Sequence, residues 1–321
     1  MSSPARPLVS VVMAAYNAGR FVEAALASLS AQTLPDLEVL VADDGSADDT
    51  AARVEGAARR DGRIRLLRMG RNGGQAAALN AAIDAARGRY LAVLDADDLA
   101  TPTRLAEQAA ALERDPGLIV VGGAVQTFLD ADPTRGTVWR YAERDQDIRV
   151  RNLFKSEFIS GAMTFDRERL AAHGLRFDGR VRLGNDWDLS SRALRVGGGA
   201  NLPGVVLRYR IHGAQMTTGM MDDVTFDSAR IRLDALAWAG VAASEEELRI
   251  HMAVSPCNYW SFGEHPYFVA RRATIAAEAA RWFARLRAET AGTGRIPRAA
   301  LDAYLEEIAE AIRRRLAEPG R

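Results

Sequence analysis

Apolar runs that end in clustered aspartates constrain this chain more than anything else in it. Tyr90-Leu91-Ala92-Val93-Leu94 reads as a short buried strand after a turn at Arg87-Gly88-Arg89, and it runs directly into Asp95-Ala96-Asp97-Asp98. Carboxylates crowded beside a hydrophobic strand repel one another and cost stability unless a cation or ligand compensates. Open α/β sheets bind ligands at the carboxyl ends of their strands. The cluster therefore points to a divalent metal holding a phosphorylated ligand. The competing reading is a solvated acidic turn ahead of a helix with Thr101 as N-cap and Pro102 at N1, which would account for Asp98 alone.

The stretches before this cluster repeat the pattern. Leu8 to Ala14 reads as a central strand, apolar almost throughout, that breaks at Tyr16-Asn17-Ala18-Gly19. A helix is expected to about Ser30, with Val22, Ala25, Leu26 and Leu29 on one face. Leu37 to Ala42 is a second strand, again ending in acids at Asp43-Asp44-Gly45-Ser46. A helix from Asp48 or Asp49 to about Arg60, a short strand Ile64–Leu67, a turn at Asn72-Gly73-Gly74 and an Ala-rich helix from Gln75 to Ala86 follow. Strand and helix in alternation imply a parallel sheet with right-handed crossovers, which sets both acidic clusters on one edge.

Beyond Asp98 the pattern loosens. A helix over 102–114 and a strand over 118–125 are expected, then an irregular stretch over 127–141 with a turn at Asp132-Pro133. A short helix over 147–154, a strand over 158–165 and a helix over 167–172 come next, then a polar loop entering a helix near Trp187 and a last strand over 205–210. From about Met221 helical periodicity takes over. Ser244-Glu245-Glu246-Glu247 is a capping box, and Leu301, Leu305, Ile308, Ile312 and Leu316 form an apolar stripe. The expected organisation is an α/β domain over 1–220 and a helical region over 221–321 that serves as a dimer contact or a cover for the first domain's binding cleft.

The chain has 321 residues, with Lys+Arg and Asp+Glu balanced at 42 each. That balance argues against a nucleic-acid binder relying on bulk charge. A single cysteine, Cys257, excludes an internal disulfide framework and fits a reducing cytosol. No apolar run approaches the roughly 20 residues needed to span a bilayer. No apolar stretch precedes the first strand as a signal peptide would require. The expectation is a cytoplasmic protein, with peripheral membrane association left open.

Taken in order, V-S-V-V-M-A-A-Y-N from Val9, D-D-G-S, R-N-G-G-Q-A-A-A-L-N, L-D-A-D-D, N-D-W-D-L and Y-R-I-H resemble the motif series of the family 2 glycosyltransferases on the GT-A fold, a Rossmann-like, mostly parallel sheet flanked by helices. The resemblance spans residues 7–217 and leaves the helical region outside it. It implies an inverting transfer of one sugar from a nucleotide-sugar donor. Tyr16 and Asp44 would hold the nucleotide base, with Ala14 also among the donor-binding residues and the Asp44 carboxylate suited to the N3–H donor of uracil or thymine. Asp95, with Ala96 beside it, would lie near the ribose and sugar. Asp97 would ligate Mn²⁺ or Mg²⁺, and His212 would complete the metal shell; an imidazole ligand favours Mn²⁺. Asp186 would be the general base. The family more often has Glu-Asp where this chain has Asn185-Asp186, and losing that acidic neighbour should lower the base's pKa.

The chemistry asks for these parts. A departing diphosphate carries negative charge that a metal held by hard oxygen ligands offsets. Inversion through an oxocarbenium-like state needs one base rather than two. The acceptor could be a saccharide, a lipid-linked sugar, a small molecule or a peptide. Alternatives are a transferase acting on peptide side chains, with the helical region docking the peptide, and a sugar nucleotidyltransferase. The latter would want a Gly-rich phosphate loop where Ala14-Ala15-Tyr16-Asn17 stands. Asp43, His173 and His251 read as structural residues. Glu278-Ala279-Ala280-Arg281-Trp282 echoes the Q-x-x-R-W element of processive polysaccharide synthases but reads as one face of an amphipathic helix.

Overall fold

The computed structural model describes residues 6–213, 215, 221–255 and 265–318. They group into two compact units, Met1–Glu143 with Phe158–Met221, and Arg144–Glu157 with Asp222–Arg321.

The first unit begins with the expected alternation. It runs β1 (Val9–Ala15), α1 (Gly19–Ser30), β2 (Leu37–Asp43), α2 (Thr50–Arg60), β3 (Ile64–Arg68), α3 (Gln75–Ala85) and β4 (Tyr90–Val93). β1, β2 and β4 are apolar because both faces of the sheet are covered: Val9, Val11, Val12, Leu40, Val41 and Leu91 are fully buried. α1 buries Val22, Ala25, Leu26 and Leu29, the face its periodicity indicates. β5 (Leu99–Ala100), α4 (Arg104–Arg114), β6 (Leu118–Leu129) and β7 (Val138–Trp139) follow. After a 3₁₀ turn at Ser160–Ala162 come β8 (Thr164–Asp166), α6 (Arg167–Ala172), α7 (Asn185–Ala193) and β9 (Gly198–Ile211).

These strands form one sheet in the order β3-β2-β1-β4-β8-β6-β9-β5, with β7 paired to β6. β1, β2, β3 and β4 pair in parallel. β8 lies antiparallel between β4 and β6, and β6 pairs in parallel with β9. The carboxyl ends of β1, β2, β4, β6 and β9 therefore share one edge. Cross-links between loops shape that edge. Asn17, at φ 49°, donates its N–H to Ser46 Oγ and accepts from Ala47 N. Asp48 accepts from Gly19 N, so the N-terminus of α1 is already capped by protein.

Several expectations are corrected. The run 158–165 is not a strand: it holds the 3₁₀ turn, and only Thr164–Asp166 pairs. β6 and β9 are longer than their apolar runs suggest because each is the other's partner along most of its length. Thr101 is not an N-cap. Its hydroxyl donates to the carbonyls of Val205 and Val206, and α4 begins after Thr103.

The second unit is helical: α5 (Asp145–Arg151), α8 (Met221–Trp238), α9 (Glu245–Ala253), α10 (Pro266–Ala270), α11 (Ile275–Ala291) and α12 (Arg298–Ala317). The boundary at 220 is incomplete, because residues 144–157 belong here. Val150, Leu153 and Phe154 pack into the same core as Leu236, Ile250, Phe283, Leu301, Leu305, Ile308 and Ile312. At its centre His251 is fully buried. Trp282 Nε1 donates to its Nδ1 at 3.1 Å, which leaves Nε2 to donate to the Leu153 carbonyl at 2.9 Å. Phe154 stacks on the ring at 4.3 Å. Trp282 is thus a core residue. Ser244 and Glu247 form the reciprocal capping box of α9.

Candidate active site

β4 delivers Asp95, Asp97 and Asp98 to the carboxyl edge, and β9 delivers Arg210 and His212 beside them. His212 Nε2 lies 3.0 Å from Asp97 Oδ2, and its ring rests on Phe21 of α1 at 4.5 Å. Arg210 holds the acidic turn in place: its N–H donates to Asp98 Oδ1 at 2.8 Å and its Nε to the Asp97 carbonyl at 2.8 Å. Its Nη1 pairs with Asp130 at 2.9 Å, and Asp130 also pairs with Arg20.

Asp95 is half-buried between two loops. Gln75 Nε2 and Ser160 Oγ each approach its Oδ1 at 3.4 Å, long for hydrogen bonds. Gly161 packs closely beside it: a Cβ there would sit 3.3 Å from Asp95 Oδ2 and 3.2 Å from Asp98 Oδ2, tight contacts. Burial, then the charges of Asp97 and Asp186, push the Asp95 carboxyl up to about 7. Burial, then the charges of Asp97 and Asp95, hold Asp98 well above the usual carboxylate range, and its Oδ2 is buried without a hydrogen-bond partner. Asp98 is therefore not a solvated cap.

Asp186 stands in the first turn of α7, whose N-cap is Gly184 at φ 79° rather than Asp186 itself. Its carboxylate accepts from Trp187 N at 2.9 Å and from the backbone N–H of Ser160. Burial raises its pKa, so the lowering expected from the Asn185 neighbour is outweighed. Asn185 Nδ2 donates to Gln75 Oε1 at 3.1 Å. Gln75 thereby links α7 to Asp95, a role its position at the start of an Ala-rich helix did not announce.

Asp44 is buried after β2, and both of its oxygens are engaged: Gly73 N donates to Oδ1 at 2.7 Å and Gly74 N to Oδ2 at 2.8 Å. Gly45 packs against the same loop, where a Cβ would meet the Arg71 carbonyl carbon and Asn72 N at 2.9 Å. The R-N-G-G segment is thus built onto D-D-G-S. Each Asp44 oxygen keeps a second lone pair for another donor. Tyr16 is 52% exposed at the end of β1. Ala14 is half-buried within β1, and Ala96 is buried in the core, so Ala96 would meet a ligand through its backbone. Asp43 accepts from Ser46 N, a structural role.

Among the described residues no group of three or more His, Cys, Asp or Glu side chains is arranged to hold a metal by itself. Asp97 and His212 offer one carboxylate and one imidazole, a partial shell of the kind that Mg²⁺ or Mn²⁺ completes with phosphate oxygens and water. The donor set fits such an ion.

The glycosyl transferase family 2 model matches residues 10–173. Succinoglycan biosynthesis protein ExoO of Rhizobium meliloti is 40% identical over 206 residues, 60% of this chain and 57% of that protein. An uncharacterized glycosyltransferase of Haemophilus influenzae is 28% identical over 219 residues, 66% of this chain and 68% of that protein. Among solved structures, S. aureus TarS 1–349 in complex with UDP-GlcNAc superposes with a TM-score of 0.59 at 17% identity, covering 96% of this chain and 90% of that one. The mannosyltransferase PcManGT from Pyrobaculum calidifontis, in complex with GDP-Man and Mn²⁺, gives 0.55 at 22% identity, covering 98% and 84%. These two likenesses carry the fold. The family match, which takes in the turns that carry Asp44 and Asp95–Asp98, makes this chain a member of glycosyl transferase family 2, a transferase enzyme on the GT-A fold.

Proposed function

We propose that the chain is an inverting, metal-dependent glycosyltransferase that moves one sugar from a nucleoside-diphosphate donor to a hydroxyl acceptor. The observation that carries this reading is the meeting of groups from distant parts of the sequence: Asp95, Asp97 and Asp98 after β4, Asp186 in α7 and His212 after β9. Asp97 and His212 would hold Mn²⁺ or Mg²⁺. Such an ion, when bound, supplies positive charge to the departing diphosphate.

The protein groups divide the remaining work. Asp186 accepts the proton of the attacking hydroxyl, and its burial makes it a stronger base than a surface aspartate of pKa about 3.9. Asp95, braced by Gln75 and Ser160, borders the sugar. Asp44 takes the N3–H of a pyrimidine base with its free lone pairs, and Tyr16 offers a face for stacking.

UDP- or TDP-sugars are favoured on that account, and TarS binds UDP and UDP-GlcNAc. PcManGT binds GDP-Man, so the base is the point to test. A saccharide acceptor agrees with relatives named for succinoglycan biosynthesis. No described helix is long and apolar enough to cross a membrane. The single cysteine fits a reducing compartment, and we place the enzyme in the cytoplasm.

A thermal-shift panel of UDP, TDP, GDP and CDP, each with and without Mn²⁺, tests the reading. A ligand at 100 times its Kd stabilises by about 2.7 kcal/mol. UDP or TDP with Mn²⁺ should give the largest shift, and a preference for GDP overturns the role of Asp44.

A further inference from the structure

We propose that Arg104 is the internal counter-ion of the acidic edge: its buried charge offsets the crowded carboxylates and sets how strongly the site draws cations and repels anions. Arg104 opens α4 and is 0% exposed. Its hydrogen bonds go to neutral acceptors. Nη2 donates to the carbonyls of Val93 at 2.7 Å and Met163 at 3.2 Å, and Nε donates to Gln108 Oε1 at 3.1 Å. Nη1 is buried without a partner.

A fully buried cation held by neutral acceptors is costly unless opposite charge lies near. Its position supplies that charge. Val93 ends the strand that leads to Asp95. Met163 follows the turn whose Gly161 lies against the Oδ2 atoms of Asp95 and Asp98. Desolvation pulls the guanidinium down to about 10, and the fields of Asp95 and Asp98 act against that loss. Arg104 therefore stays charged at neutral pH.

Gln108, one turn along α4, completes a polar floor. Its Nε2 donates to the Ala162 carbonyl at 2.7 Å and to those of Val121 and Gly122 at 3.2 Å. A staple made only of hydrogen bonds would explain this floor but not the need for a charge in it. The two roles part experimentally. Loss of a staple loosens the site and weakens every ligand, whereas loss of a counter-ion moves cations and anions in opposite directions.

The inference rests on the donor-binding reading of this edge. The test uses the full chain at about pH 8, with calorimetric titrations of Mn²⁺ alone and of UDP alone in chelator, for wild type, Arg104→Lys and Arg104→Met. Arg104→Met should bind Mn²⁺ about tenfold more tightly and metal-free UDP about tenfold more weakly, with Arg104→Lys near wild type. Weakening of both ligands together, or a lysine variant that behaves like methionine, overturns the proposal.

Where Arg104→Met fails to fold, removal of one crowded carboxyl in Arg104→Met/Asp98→Asn should restore a cooperative melting transition, and no rescue overturns it. Should wild type bind neither Mn²⁺ nor UDP, the donor-binding reading falls by itself. The counter-ion is then judged on melting: Asp98→Asn must raise the midpoint of Arg104→Met more than that of wild type, and an equal effect refutes it.

Discussion

The acidic edge of the first unit and the His251 knot of the second both bury titratable groups, and they do so in opposite ways. Around His251 each ring nitrogen has a partner, the ring is stacked, and one tautomer is fixed. Around Asp95 the hydrogen bonds are long, like charges face one another, and one Asp98 oxygen has no partner. A satisfied buried network specifies a core. An unsatisfied one is tolerated where a ligand completes it, and strongly perturbed groups gather at such places. On the function proposed above, the contrast separates residues that serve stability from residues that serve chemistry.

The strongest way to break the contrast is Asp186→Asn. On the chemical side it should lower turnover by about 10²–10⁴-fold. Donor binding and melting temperature should stay near wild type. Turnover within threefold of wild type in a steady-state assay would remove Asp186 from the chemistry.

The second probe reverses the expectation, touching stability and sparing chemistry. The folded His251 ring binds no proton until about pH 3, whereas the unfolded chain protonates it below its ordinary value of 6.5. Its contribution is therefore constant above pH 6.5 and lost progressively as pH falls toward 3. Between pH 7 and 5 the loss is about 2 kcal/mol. Urea melts of wild type and His251→Gln at both pH values measure it, and an equal pH dependence in the two proteins would refute the assignment.

The smallest effect sharpens the comparison at the surface of the helical unit. Ser244→Ala removes one half of the α9 capping box and should cost about 1 kcal/mol in the same melts, with no change in donor binding.

The acid-ended strands were readable because a buried parallel strand is apolar on both faces and its end is not. Val9–Ala15, Leu37–Asp43 and Tyr90–Val93 announce themselves, and so does the edge they share. The stripe on α12 was readable for a similar reason, as Leu301, Leu305, Ile308 and Ile312 are buried. What stayed hidden depends on partners far along the chain. Gln75 and Gln108 look like helix-surface residues until Asn185 and the carbonyls of β6 come to meet them. Ser160 and Gly161 sit in an apolar stretch that imitates a strand, and only the approach of Asp95, Asp98 and Asp186 explains the turn there.

Residues 144–157 were misplaced because nothing in a short helix says which hydrophobic core it serves, and here the interruption matters. The chain leaves the sheet-bearing unit after Glu143, returns at Phe158 and leaves again after Met221. The helical unit is therefore no removable cassette. Deleting everything past residue 221 would strip the cover from Val150, Leu153 and Phe154 and leave a sticky apolar patch. A recombination event that moved only the C-terminal piece to another enzyme would deliver it missing one wall. Selection that trims or swaps this unit has to handle both segments together, which ties the fate of the accessory helices to the catalytic half that surrounds their first member.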